Sequence, residues 1–557
     1  MLFAGGAGGG VAELELILVL LAFAAALQVV ARRFGIPQPA LLVLGGAALA
    51  LLPGLPRPSL DPELIFLIFV PPLLYYAAIR APQRELAQKL WPIFHLSVPL
   101  VLFTMLAVAV VVHGIDPEFT WPAAFVLGAI VAPPDPVAAV AVMRPLRTPT
   151  EVTAILEGEG MFNDATALVA YRLAVATAVT GVFSLGQAAA DFAWSGPLGV
   201  AAGLILGRAV LGLRARLQYF PLVDNSVSLL TPFVVYLTAD ALGASGVLAV
   251  VAAGLYIGQR LSTVLSPAAR VQTTSTWGLL AFILENLVFI LIGLELPYVM
   301  QDAGYSSVSD WLGLAAVVSL VVILVRLAVV LPGPFLWRGL TRQARPDLRG
   351  VALVGWMGVR GAESVVIALA LPQLTAAGTP FPARGDIVFI SFAVVFATLV
   401  LQGMTIGPFA RRLGLQGDTR SEQEEAHARH VLASTGLERL DELAGSNGNS
   451  AEIVDELRYR HQHRARRWEA RERRLGRDPI GRHPADSTDD DGDAGGEAHA
   501  ASYRQLRSAM LDAERDAVVK LRDEGIIGGE VLRRIERDLD LEGMLLDEGT
   551  LDGSQRG

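Results

Sequence analysis

Apolar runs recur along the first 410 residues of this chain, and they restrict its fold more than any other feature. An α-helix needs about 17–25 residues to cross a bilayer. Runs close to that length lie near residues 14–31, 39–55, 63–80, 91–113, 121–143, 150–180, 195–213, 226–243, 245–259, 276–297, 311–337, 349–372 and 386–410. Only 18% of the residues are charged, against ~25% in soluble domains. The sequence therefore predicts an all-α polytopic membrane protein with about thirteen transmembrane helices.

Basic residues alternate between the loops, which predicts the orientation of these helices. Cytoplasmic loops are richer in Lys and Arg than loops on the other side. Every second loop is basic, with Arg32 and Arg33; Arg80, Arg84 and Lys89; Arg144 and Arg147; Arg214 and Arg216; Arg260 and Arg270; Arg338, Arg342, Arg345 and Arg349; and Arg411 and Arg412. The only basic residues in the opposite loops are Arg57 and Arg384. We expect an uncleaved first helix with its N-terminus outside a plasma (inner) membrane, and a cytoplasmic C-terminal tail.

The composition changes after residue 412, where a densely charged tail replaces the apolar runs. We predict a transmembrane domain at 1–412 and a cytoplasmic helical tail at 413–557, with a disordered acidic segment near 477–500. The chain contains no cysteine, which excludes disulfides and thiolate metal sites. No basic excess indicates nucleic acid. The sequence does not predict a cofactor, and a transporter rather than an enzyme is expected.

Two of the predicted helices contain devices that break a helix near mid-membrane. The fifth run contains Ala132-Pro133-Pro134-Asp135-Pro136, and proline removes backbone donors and clashes with the preceding turn. The twelfth contains Gly355-Trp356-Met357-Gly358-Val359-Arg360-Gly361. These runs are seven apart, so omitting the seventh leaves two inverted six-helix repeats with breaks at matching positions. Broken helices crossing at matched positions of inverted repeats mark the ion site of secondary transporters.

The sixth run carries the acidic residues that such a site needs. Glu159 and Asn163 are four residues apart and share one helix face, with Asp164 beside Asn163. A carboxylate inside the bilayer costs roughly 2.5–3.5 kcal/mol, so chains retain one for a function. We predict that a monovalent cation and a proton compete for Asp164, with Asn163 as a further cation ligand. One shuttling carboxylate predicts electroneutral exchange.

Two other charges in the broken helices need an explanation. Arg360 cannot remain unpaired in the membrane, and we expect a structural ion pair with Glu159. Asp135 lies at the break of the fifth helix, where it can bind the transported ion or only offset the positive ends of two half-helices. The residues leave both roles for Asp135 open.

These motifs resemble those of the bacterial CPA1-type monovalent cation:proton antiporters, the sodium/proton exchanger family. The resemblance is carried by Glu159-Gly160-Met161-Phe162-Asn163-Asp164, Pro133-Pro134-Asp135-Pro136 and Gly358-Val359-Arg360-Gly361. It implies a homodimer in the lipid bilayer, an Asn-Asp ion site, a glutamate–arginine pair and elevator-like alternating access. Glu363 and Glu285 depart from the family's usual pattern, so they are candidate modulators of stoichiometry and of the preference among Na⁺, K⁺ and Li⁺.

Other functions remain as alternatives. A K⁺-selective proton antiporter would use the same residues. An intramembrane aspartyl hydrolase would need Asp135 and Asp164 to meet in one cleft, but it would leave Asn163 without a role. A passive cation channel is disfavoured by the matched inverted breaks.

Overall fold

The protein is described from a computed structural model. It describes residues 9–34, 37–52, 62–117, 119–135, 143, 149–182, 185–217, 220–302, 308–333, 335, 347–415, 419–444, 451–475 and 497–554. Within these ranges almost all residues are helical, and the only β-bridge joins Leu374 to Pro380. The predicted all-α class is confirmed.

The helices follow one another along the chain with short connections. Those up to residue 258 are α1 (Gly9–Phe34), α2 (Gln38–Ala50), α3 (Pro62–Arg80), α4 (Gln83–Gln88), α5 (Leu90–Ser97), α6 (Pro99–Ile115), α7 (Trp121–Val131), α8 (Thr150–Thr180), α9 (Leu185–Leu217), α10 (Pro221–Ala241) and α11 (Gly246–Gly258). The next are α12 (Leu261–Val264), α13 (Pro267–Asp302), α14 (Val308–Val330), α15 (Leu348–Trp356), α16 (Ala362–Leu369) and α17 (Arg384–Arg412). The last are α18 (Thr419–Ala444), α19 (Ala451–Leu475), α20 (Glu497–Asp523) and α21 (Gly529–Ser554).

Each of the thirteen predicted runs overlaps a helix. In the described residues, six helical stretches are long and apolar enough to cross a membrane: Leu90–Ile115, Trp194–Leu217, Pro221–Ala241, Pro267–Pro297, Trp311–Val330 and Arg384–Arg412. Five shorter apolar helices accompany them, and 91–113 is divided between α5 and α6. A multi-pass membrane protein is therefore supported, while the count of thirteen spans stays a prediction.

The chain folds into two compact units. The first comprises residues 1–81, 86–264 and 275–416, and the second comprises 82–85, 265–274 and 417–557. The tail that the sequence places at 413–557 thus forms most of the second unit, together with two short segments from earlier loops. Most of the predicted disordered segment lies outside the described residues, and α20 begins at Glu497.

The first unit contains several apolar clusters, and two of them belong to helix groups that contact α8. In one, α3, α9, α10 and α11 pack around residues such as Tyr75 and Val250. In the other, α6, α7, α14 and α17 pack around residues such as Leu127 and Val318. Helix α8 contacts α7 and α5 as well as α11 and α3, so it has neighbours in both groups. Its polar residues are therefore held between two apolar cores.

Both predicted helix breaks are present. Helix α7 ends at Val131, and residues 132–135 are not helical. Residues 136–142 lie outside the described residues. Helix α15 ends at Trp356, and α16 begins at Ala362, with non-helical backbone between them. These breaks expose backbone groups inside an otherwise apolar core, where they need polar partners.

In the second unit, α18 packs against α19 and α20, and α20 packs against α21. Its amphipathic helices bury two small clusters of aliphatic side chains, one including Leu511 and Ile535, the other Leu440 and Leu457. The predicted helical nature of the tail is confirmed for the ranges that the structure describes.

Candidate ion-exchange site

The two helix breaks meet at the polar face of α8. The backbone N–H of Asp135 donates to the carbonyl of Val359 (N···O 2.8 Å), which joins one break to the other. Gly361 lies directly against Asp135, since a Cβ there would come within 2.1 Å of Asp135 Oδ2. The backbone N–H of Arg360 donates to Thr398 Oγ1 of α17 (3.1 Å). Two of the backbone N–H groups at the breaks are thus paired, as burial of a break requires.

Asn163 connects α8 to the first break. Its Nδ2 donates to the carbonyl of Pro134 (2.9 Å), and its side chain is fully buried. Its Oδ1 is also buried and has no hydrogen-bond partner among the described residues. A buried amide oxygen without a donor is an acceptor available to a cation. This arrangement agrees with the predicted role of Asn163 as a cation ligand, which stays a prediction.

Asp164 lies in a cluster of carboxyl groups. Its side chain shares a hydrogen bond with Glu363, and both of them interact electrostatically with Asp135. Glu159 is also close enough to repel a charge on Asp164. A hydrogen bond between two carboxyl groups requires a proton on one of them. We call Asp135, Asp164 and Glu363 the carboxyl cluster, and it can hold a proton or replace that proton with a cation.

Glu363 owes its position to the second break. It lies in the first turn of α16, immediately after the non-helical residues 357–361. The positive end of a helix dipole favours an acidic side chain in that turn. The sequence identified Glu363 only as a departure from the family pattern, and the structure brings it onto Asp164.

The predicted ion pair between Glu159 and Arg360 is wrong. Glu159 pairs with Arg326 of α14, which bonds both carboxylate oxygens through its Nη1 and Nη2 atoms, with Nη2 at 2.8 Å from Oε2. Both side chains are 1% exposed. Arg326 also donates to the carbonyl of Val354 through Nη2 (3.0 Å) and Nε (3.2 Å). Among the described residues, Glu159 forms its bidentate pair with Arg326, and Arg360 makes no hydrogen bond to it.

Arg360 lies next to this pair without joining it. Its side chain is 1% exposed, and its Nε and Nη1 atoms have no hydrogen-bond partner among the described residues. It interacts electrostatically with Arg326 and Glu159. Gly358 lies against Arg326, because a Cβ there would be 2.5 Å from Arg326 Cδ. The glycines of the break therefore admit side chains from other helices.

Sequence reasoning missed the role of Arg326, although a signal was present. A lone arginine in the middle of the apolar run 311–337 needs a buried acid as its partner. Two arginines met this condition for Glu159, and sequence spacing did not distinguish them.

None of the interactions described for the carboxyl cluster involves Glu285, the second candidate modulator. It is half-buried on α13. Its neighbour Asn286 accepts a hydrogen bond from Gln38 of α2 (2.7 Å). The interactions described for Asp164 and Glu363 involve Asp135, Glu159 and each other. A role for Glu285 at the site has no support from these contacts.

Comparisons with known proteins agree with these motifs. Residues 18–412 match the family described as sodium/hydrogen exchanger, transmembrane. The chain is 33% identical over 450 residues to a sodium, potassium, lithium and rubidium/H⁺ antiporter of Bacillus pumilus, covering 78% of this chain and 67% of that protein. It is 31% identical over 549 residues to an uncharacterized Na⁺/H⁺ exchanger of Mycobacterium tuberculosis, covering 96% and 97%.

A solved structure shares the fold. The sodium proton antiporter MjNhaP1 from Methanocaldococcus jannaschii at pH 8 aligns with a TM-score of 0.56 and 19% sequence identity. The alignment covers 72% of this chain and 98% of that one.

Proposed function

We propose, because the chain belongs to the sodium/hydrogen exchanger family, that it exchanges Na⁺ for H⁺ across a membrane, with ion and proton competing for Asp164. The observation that carries this proposal is the carboxyl cluster beside Asn163 Oδ1, which has no hydrogen-bond partner among the described residues. Asp164 interacts electrostatically with the acids Glu363, Asp135 and Glu159, and a bound proton or cation would offset this repulsion.

Competition at one site is sufficient for coupled exchange. Carboxylate and amide oxygens, and carbonyls of unwound helices, suit Na⁺. Asp164 and Asn163 would bind the cation, and Asp135 is either a third ligand or a counter-charge. A site loaded with Na⁺ or H⁺ crosses the membrane with its charge neutralised, whereas an empty site would carry uncompensated charge through a low-dielectric barrier. Transport in one direction is therefore linked to transport in the other.

The remaining features of the proposal follow the same reasoning. The two touching breaks support alternating access between inverted repeats, in a homodimer of the plasma membrane with the N-terminus outside. One Asp164 per site favours electroneutral exchange, and Glu363 is the residue that could alter this ratio. Relatives named for sodium, potassium, lithium and rubidium support K⁺ and Li⁺ as alternative cations.

The hydrolase alternative is not favoured. Asp135 and Asp164 do lie close together, as that alternative requires. The match to a transporter family over residues 18–412 nevertheless argues for exchange.

A vesicle assay tests the function. Everted vesicles from a strain without its own exchangers are acidified, and fluorescence dequenching is recorded after addition of Na⁺, K⁺ or Li⁺ at several pH values. We expect Na⁺ to cause dequenching that control vesicles lack. Dequenching with K⁺ alone would favour the K⁺-selective alternative, and no response to any cation would contradict the proposal.

A further inference from the structure

A cavity of about 530 Å³ lies in the first unit, away from the carboxyl cluster, and three arginines line it. Arg208, Gly212 and Arg216 contribute from α9, and Tyr256 and Arg260 from α11 and the turn after it. The lining contains no acidic residue. The cavity is therefore positively charged.

Helix spacing and a glycine create the opening. Arg208, Gly212 and Arg216 follow one another at intervals of four residues and lie on one face of α9. A Cβ added at Gly212 would meet no atom within 4 Å. The glycine thus leaves a gap between two guanidinium groups on the helix surface.

Tyr256 contacts two of the arginines from the other side of the cavity. Its hydroxyl accepts a hydrogen bond from Arg208 Nη1 (3.3 Å), and the Arg260 guanidinium lies over its ring, 4.0 Å from the centroid. A guanidinium has five N–H groups, and these contacts leave most of those on Arg208 unused. Among the described residues, no carboxylate forms an ion pair with Arg208, Arg216 or Arg260.

A neighbouring arginine on the same helix has a structural role and a fixed acidic partner. Arg214, two residues before Arg216, is fully buried and forms a bidentate pair with Asp224 (2.8 and 2.9 Å). Within the part of the chain that the structure describes, the arginines of the cavity have no such acidic partner, so an external anion can bind them.

The surroundings indicate an amphipathic anion. Arg208 lies nine residues before Leu217, the end of a membrane-spanning stretch, or about 13 Å along the axis. Exposed aliphatic side chains lie near it on α9, including Ile205 (69% exposed) and Leu213 (44% exposed). A basic pocket between helices at the cytoplasmic side of a membrane suits a phospholipid headgroup, with acyl chains along the apolar surface.

We propose that this cavity binds the headgroup phosphate of an anionic phospholipid through Arg208, Arg216 and Arg260. This inference does not depend on the ion-exchange activity. It extends the function to a specific lipid contact in the leaflet that the loop charges assign to the cytoplasm.

Native mass spectrometry of the full-length protein in neutral detergent tests the site. Phosphatidylglycerol and phosphatidylcholine with the same acyl chains are titrated separately. We expect wild type to prefer phosphatidylglycerol and Arg208→Gln/Arg260→Gln to lose about tenfold or more of this preference. Arg172→Gln is the matched control, because Arg172 is also exposed but faces Asp240 (3.6 Å). An unchanged preference in the double variant would overturn the proposal.

Two further measurements separate a cavity from a diffuse surface charge. Gly212→Leu keeps every arginine but fills the gap, so it should also abolish the preference for phosphatidylglycerol. If this variant keeps the preference, the cavity is not the binding site. It decides the question by itself if the double variant fails to fold. An excess of inorganic phosphate should not displace the lipid, and complete displacement would identify a small-anion site and overturn the lipid assignment.

Discussion

One helix, α8, carries two acids a little more than a turn apart, and their charges are balanced in different ways. Glu159 is neutralised by Arg326, a fixed charge that also binds a backbone carbonyl. Asp164 instead interacts with other acids and shares a hydrogen bond with one of them, Glu363. An acid with a fixed counter-charge has only a structural role. An acid whose charge is balanced by a mobile cation or proton can exchange one for the other. Glu159 therefore supports the structure, whereas Asp164 is available for transport.

The second unit follows the pattern of Glu159. Arg507 is 2% exposed and bonds Glu514 (Nη1···Oε1 3.1 Å) and Glu542 (Nε···Oε1 2.7 Å). Burial opposes ionisation of Glu514, but the neighbouring His461 and Arg507 outweigh it and hold the pKa of Glu514 below its usual value. Buried acids with fixed partners therefore occur in both units, and the carboxyl cluster is the contrasting arrangement.

The largest expected effect is on the acid without a fixed partner. Asp164→Asn should abolish Na⁺-dependent proton movement in everted vesicles, because an amide cannot exchange a proton for a cation. Membrane insertion and thermal stability should be retained, since the change also removes a repelling charge. Glu151→Gln, an exposed acid on the same helix, should keep wild-type exchange. Full activity in Asp164→Asn would end the single-carboxylate mechanism.

Breaking the fixed pair should instead damage the fold. Arg326→Met leaves Glu159 buried and uncompensated, which costs roughly 3–5 kcal/mol, so folded yield and melting temperature should fall sharply. Arg360→Met should cost less, because it removes a guanidinium that lies near Arg326 and lacks full hydrogen bonding.

A double-mutant cycle distinguishes the two arginines. Glu159→Gln/Arg326→Met should recover part of the lost stability, whereas Glu159→Gln/Arg360→Met should show little coupling. Strong coupling of Glu159 to Arg360 would restore the pairing that sequence spacing favours.

This pair also shows how far the sequence determines the site. Asp164 and Asn163 were predictable because any acid in an apolar run is costly, and the helix breaks because proline and glycine act locally. The partner of Glu159 was not predictable, since Arg326 is 167 residues away in the chain and Arg360 satisfied the same requirement. The close approach of Arg326 to Gly358, which has no side chain, is a contact between residues distant in the sequence. Packing across a broken helix is not encoded in local spacing.

Glu363→Gln should have an intermediate effect, because Asp164 remains while a negative charge next to the cation is lost. We expect exchange to continue with apparent Na⁺ affinity lowered roughly tenfold, which corresponds to about 1.4 kcal/mol. Initial rates are measured against Na⁺ concentration in the same vesicles.

Clamping the membrane potential sharpens the comparison between Glu363 and Asp164. Electroneutral exchange predicts that the wild-type rate is the same with and without a potential. A strong voltage response in wild type that disappears in Glu363→Gln would show that the cluster moves a second charge and would contradict a one-to-one ratio.

The smallest effect is expected from Glu536 on α21, an acid of the second unit that is only partly compensated. Burial raises its pKa, and Asp540 adds to this while Arg270 opposes it. Because the folded-state pKa lies above the unfolded value of ~4.5, the native state binds the proton more tightly, so stability falls as pH rises through that interval. Glu536→Gln should remove this slope and raise the melting temperature of the full-length protein at pH 7 by about 1–2 °C.

The exposed Glu530, on the same helix and paired with Arg534, supplies the control Glu530→Gln, which should leave the slope unchanged. Identical pH profiles for wild type and Glu536→Gln would show that folding does not raise the pKa of Glu536.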